Sequence, residues 1–82
     1  MDEQYVVGQH AAERLEERGI LEWQIVDGVE SAEVLTERAD AKPNPIVEVR
    51  QALADGTEVK VVWSHIVSLD IAKLVTVHFY GE

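Results

Sequence analysis

The pair Asp55-Gly56 sits between two runs rich in β-branched and apolar residues, 46–53 (IVEVRQAL) and 57–66 (TEVKVVWSHI). Asp-Gly in that setting is a strong local signal for a β-hairpin. Side chains alternate along a strand, so the loop length decides which sets share a face. A two-residue loop pairs Ala54 with Thr57 and puts Val47, Val49 and Leu53 beside Glu58 and Lys60. A three-residue loop, Ala54-Asp55-Gly56, puts them with Val59, Val61 and Trp63. It also gathers Glu48, Arg50 and Ala52 with Glu58, Lys60 and Val62. Only the second solution gives one consistent apolar face, and Gly56 supplies the left-handed residue of a bulged turn. The three-residue loop is therefore expected.

The rest of the chain fits around this hairpin. Residues 72–80 (AKLVTVHFY) read as a further strand, with Val75, Val77 and Phe79 toward the core and Thr76, His78 and Tyr80 away from it. Residues 33–37 (EVLTE) read as a first strand, and residues 38–45, which hold both prolines, as a loop. Residues 9–18 (QHAAERLEER) lack Gly, Pro and β-branched residues and read as a helix stopped by Gly19. Ala11 and Leu15 share one face of it. Glu13 and Glu17 lie on the far side, and His10, Arg14 and Arg18 follow at successive i+4 steps between them. Residues 22–30 (EWQIVDGVE) read as a second short helix, which groups Trp23, Val26 and Val29 with Ile25 beside them. The expected fold is α+β and a single domain over residues 1–82. Two N-terminal helices pack on one face of an antiparallel sheet of about four strands.

Charge limits the function classes. The chain of 82 residues carries 16 acidic and 7 basic side chains, a net charge of −9. Residues 1–41 hold 11 acids and 3 bases, so the acidity is concentrated in the helical half. Such a chain as a whole opposes nucleic-acid phosphate, which is bound by neutralising Lys and Arg, and favours a basic protein partner. A homodimer is also compatible, because a thin core gains from added burial. With no cysteine, disulfides, thiolate catalysis and Cys-based metal sites are excluded. The acidic start, MDEQYVV, lacks the basic flank of a signal peptide, and no run approaches the length of a membrane helix. A cytoplasmic location and no membrane partner are expected.

Two groups of residues can carry chemistry. His10, Arg14 and Arg18 align two guanidinium groups and an imidazole along one helical edge, suited to a phosphate or carboxylate. Against this, Glu13, Glu17 and Glu22 are close enough in sequence to pair with them. The second group is the open face of the sheet: Glu48, Arg50, Glu58, Lys60, Ser64, Thr76, His78 and Tyr80. Arg50, Lys60, His78 and Tyr80 there are the catalytic candidates, able to hold a phosphodiester and move protons. A solvated sheet face with charges paired across strands reads the same way. His65 shares the parity of Trp63 and is expected at the edge of the core, and Trp23 and Trp63 within it. The three histidines lie on separate elements without metal-ligand spacing, so no metal and no cofactor are expected.

The stretch His10-Ala11-x-x-Arg14-x-x-x-Arg18-Gly19-Ile20 resembles a bacterial family known as domain of unknown function 4258. The short second helix, the Asp-Gly hairpin and the terminal Val75-Thr76-Val77 strand are similar too, so the likeness spans roughly residues 8–80. That family has no settled activity. Its helix–helix–sheet order looks like that of the small RelE and BrnT toxins, ribonucleases held inactive by antitoxin partners. The resemblance implies that Arg50, Lys60, His78 and Tyr80 occupy positions used for RNA cleavage on an exposed sheet face, while His10, Arg14 and Arg18 match the family's own helical motif. RNA-cleaving toxins are usually basic, and this chain departs from them in charge. The sequence alone thus favours a non-catalytic protein-interaction or regulatory module, with a metal-independent ribonuclease as the alternative.

Overall fold

The computed structural model describes residues 5–53 and 55–80. In chain order they form β1 (Tyr5–Val7), α1 (Gln9–Arg18), α2 (Glu22–Asp27), a 3-10 turn (Gly28–Ser31), β2 (Glu33–Arg38), β3 (Ile46–Ala52), β4 (Glu58–Ile66) and β5 (Ile71–Phe79). The sheet order is β1-β5-β4-β3-β2. No helix among the described residues is long and apolar enough to cross a membrane.

The hairpin register follows from the polarity argument. Arg50 lies opposite Lys60 and Ala52 opposite Glu58. Leu53 N donates to Thr57 O at 2.7 Å and Gly56 N to Leu53 O at 2.9 Å, closing a three-residue loop in which Gly56 has φ +89°. Ala54 itself lies outside the described residues. Asp55 Oδ1 accepts from Thr57 N at 2.9 Å, which fixes the turn and holds the Asp55 carboxyl below its ordinary pKa.

The sheet differs from expectation in size and direction. It has five strands, and it is mixed, because β1 runs parallel to β5 with Tyr5 opposite Ala72 and Val7 opposite Leu74. Three residues are too few to show an alternating pattern, and this strand exists through its pairing with β5. A second difference is a bulge in β5. Val62 lies opposite Thr76 but Trp63 lies opposite Leu74, so Val75 is an extra residue. Leu74 is therefore buried where Val75 was expected, and Val75 is only half-buried.

One cluster of buried side chains joins the elements: Ala11 and Leu15 of α1, Ile25 of α2, Val49 and Leu53, Val59, Val61 and Trp63, and Leu74, Val77 and Phe79. α1 stops at Gly19, which takes φ +65° as its amide bonds to Glu16 O at 3.1 Å. α2 is shorter than the expected 22–30 and tightens at Gly28 into the 3-10 turn. The reason is a close approach. Gln51, buried on the core face, donates from Nε2 to Ile25 O at 2.9 Å, and a Cβ on Gly28 would lie 2.5 Å from that Nε2. Trp23 is 56% exposed, contrary to the expectation that it lies in the core. Ile25 is the buried side chain of this short helix, and a residue two positions away projects to roughly the opposite side.

Candidate functional site

The open face of the sheet is laid out in rows by the register. Arg50 of β3 pairs with Lys60 of β4, and Lys60 pairs with His78 of β5. Neighbouring strands are about 4.8 Å apart, so three bases stand side by side across three strands. The next row holds Glu48, Val62 and Thr76, and the one beyond it Ile46, Ser64 and Lys73. Tyr80 follows His78 by two residues and is 54% exposed. Ser64, a candidate from parity, is instead buried, with its hydroxyl donating to Pro45 O at 3.2 Å.

This face is distinct in charge from the rest of the molecule. Of the seven Lys and Arg residues, the register places Arg38, Arg50, Lys60 and Lys73 here, against Glu33, Glu48 and Glu58. The carboxylates are bound to the row: Arg50 Nε lies 3.1 Å from Glu58 Oε1 and 3.6 Å from Glu33 Oε1, and Lys60 Nζ lies 3.7 Å from Glu48 Oε1. These pairs are partly or largely exposed, and such pairs contribute at most about 1 kcal/mol each. An incoming phosphate can therefore exchange with them.

His78 is the imidazole of the row. Its pKa is held below the ordinary 6.5, first by loss of water contact, then by the charges of Lys60 and Arg14. Glu48 pulls the other way, and His10 adds a smaller push downward. The imidazole is consequently neutral near neutral pH and able to accept a proton.

The helical stripe lies along the edge of β5. β1 covers β5 only from Ala72 to Leu74. Beyond that point Arg14 Nε donates to Val77 O at 3.2 Å, and the guanidinium groups of Arg14 and Arg18 lie 5.6 and 4.8 Å from the centre of the Phe79 ring. Glu22, one of the acids close to these bases in sequence, accepts a hydrogen bond from the Tyr5 hydroxyl. His10, one helical turn before Arg14, is exposed.

A family model described as a domain of unknown function, DUF4258, matches residues 7–79. The chain belongs to the DUF4258 family. The match runs from the last residue of β1 to the last residue of β5, so in this DUF4258 chain both α1 with its His10-Arg14-Arg18 stripe and the Arg50-Lys60-His78 row lie inside it. No curated protein and no solved structure matches the chain.

Other candidates do not join the site. His65 is exposed rather than at the edge of the core, and its Nε2 lies 2.9 Å from Asp70 Oδ1 across the β4–β5 turn. It lines a shallow depression with Glu37, Ala39, Pro45, Ile46 and Val47, away from the basic row. Gln51 was not singled out by sequence. A polar residue at a core parity position, between Val49 and Leu53, was the available signal.

Proposed function

We propose that the open sheet face of this DUF4258 chain binds RNA phosphodiesters and cleaves them in the manner of the RelE and BrnT toxins, whose helix–helix–sheet order the family's own order looks like. The observation that carries the reading is the cross-strand row Arg50–Lys60–His78, which sets two fixed cations beside a histidine of lowered pKa. In this scheme the neutral His78 takes the proton of a ribose 2′-hydroxyl as that oxygen attacks the adjacent phosphorus. Lys60, in the middle of the row, and Arg50 stabilise the charge that builds on the non-bridging oxygens. Tyr80, exposed just past the end of β5, positions the leaving side of the linkage. The P–O5′ bond breaks, giving a 2′,3′-cyclic phosphate and a 5′-hydroxyl end. The net charge of −9 slows the approach of RNA, and the local excess of bases on this face offsets it.

The test is induced expression in a bacterial host, wild type beside His78→Ala and Arg50→Ala, with growth and total RNA followed. The expected result is growth arrest with RNA breakdown, lost in both variants. Normal growth with intact RNA at high soluble expression overturns the reading.

A protein-interaction role is the second reading. Leu21 and Trp23, at the start of α2, are 58% and 56% exposed, an apolar pair next to an acidic helix. Intact RNA together with a partner whose capture is lost in Trp23→Ser favours this reading over cleavage.

A further inference from the structure

β2 stands at one end of the sheet order, and among the described residues no strand lies beyond it. Its outer backbone groups are open to a further strand. Exposed edges are commonly guarded by Lys or Pro, and Glu33–Arg38 contains neither. It presents Val34 and Leu35 instead, 56% and 42% exposed.

The order of faces along β2 is set by a bulge. Glu33 lies opposite Arg50, Val34 opposite Val49 and Thr36 opposite Glu48, so Leu35 is an extra residue. Glu37 and Arg38 then lie opposite Val47 and Ile46. Glu33, Thr36 and Arg38 therefore share the open face, and Val34 and Glu37 share the core side. In an unbroken strand Glu33 and Arg38 would stand on opposite sides, because their separation is odd.

That order makes the edge complementary to itself. Two copies of β2 related by a two-fold axis perpendicular to the sheet run antiparallel, and each residue must meet one from its own face. A register centred on Leu35 opposes Val34 to Thr36, and one centred on Thr36 opposes Val34 to Arg38, so both mix the faces. Registers centred nearer either end engage only part of the strand and pair no opposite charges. Centring between Leu35 and Thr36 matches the faces along the strand: Glu33 meets Arg38, and Val34 meets Glu37. Charge agrees with this register. Arg50 Nε already lies 3.6 Å from Glu33 Oε1, and Arg38 of the second copy would approach the same carboxylate from its open side.

We propose that the protein is a homodimer joined through β2, with Glu33 of each copy paired to Arg38 of the other. The two sheets become one continuous sheet, and both open faces lie on the same side of it. RNA cleavage plays no part in this assembly, so its test leaves the open-face reading where it stands.

The experiment measures the mass of the full chain in solution by light scattering across a concentration series. The expected mass is twice that of the 9.2 kDa chain. Glu33→Arg and Arg38→Glu each set like charges opposite one another at both symmetry-related places. Each should raise the dissociation constant by about tenfold or more. In an equimolar mixture of the two variants, opposite charges face each other again at both places, and the dimer mass should return. Both side chains are exposed, so the fold of each variant is retained, and circular dichroism checks it. A wild-type chain that stays monomeric overturns the dimer. A dimer that neither single variant weakens, or that the mixture does not restore, overturns the pairing of Glu33 with Arg38.

Discussion

The Arg14 guanidinium fills an edge position of the sheet: its Nε donates to the Val77 carbonyl oxygen at 3.2 Å, past the end of the strand that covers the rest of β5. The helix-borne cation thereby satisfies a backbone acceptor that a longer β1 would otherwise meet. The same group lies over Phe79, which is itself in the core cluster. Arg14→Ala removes the hydrogen bond and the ring contact together. A loss of about 1–2 kcal/mol in urea unfolding is expected. Glu37→Ala, on the exposed edge strand, is expected to change stability by less than about 0.5 kcal/mol.

Gly28 has an ordinary φ of −77°, so its requirement is space rather than conformational freedom. An added methyl displaces the buried Gln51 amide and breaks its bond to Ile25 O. Gly28→Ala should cost about 1–3 kcal/mol. The double variant Gly28→Ala with Gln51→Ala should lose less than the sum of the two single changes, because both disrupt one contact. A strictly additive cycle rules this account out.

His78 should titrate below the ordinary 6.5 when its ring protons are followed by nuclear magnetic resonance. Lys60→Met should raise the midpoint. The folded state binds this proton less readily than the unfolded chain does. The contribution of His78 to stability is therefore favourable above the unfolded pKa and is lost as the pH falls through that value toward the folded one. The decline should be smaller in His78→Gln. A midpoint at or above the ordinary value contradicts the environment described for this ring.

RNA binding at the open face should weaken with salt, because it releases counterions from phosphate. Arg50→Ala should reduce the magnitude of the slope of log K against log salt by roughly one contact. Arg38→Ala tests how far the bound strand extends across the sheet toward β2. An unchanged slope in both variants places the bound phosphates elsewhere.

Residue parity made the hairpin readable, since Val47, Val49 and Leu53 could share a face with Val59, Val61 and Trp63 in one register alone. The same parity aligned Arg50, Lys60 and His78 before their row was visible. Parity failed where its assumption failed. At Val75 the alternation skips a residue, and no local composition marks the skip. Trp23 was misplaced because a six-residue helix buries too narrow a stripe for the full apolar set of its sequence. Tyr5–Val7 carries too few residues to signal a strand, and its role depends on a neighbour more than sixty positions away. The bond from Arg14 to the Val77 carbonyl depends on that short strand ending where it does.

The extra residue at Val75 also acts as a change of phase within one strand. Lys73 and His78 are an odd number of positions apart, and in an unbroken strand they would stand on opposite sides. Leu74 and Val77 are likewise an odd number apart, yet both are wholly buried. One inserted residue reconciles the two pairs at once. A chain shortened by that residue would have to choose which end of β5 keeps its orientation: the end that anchors the first strand, or the end that presents the histidine.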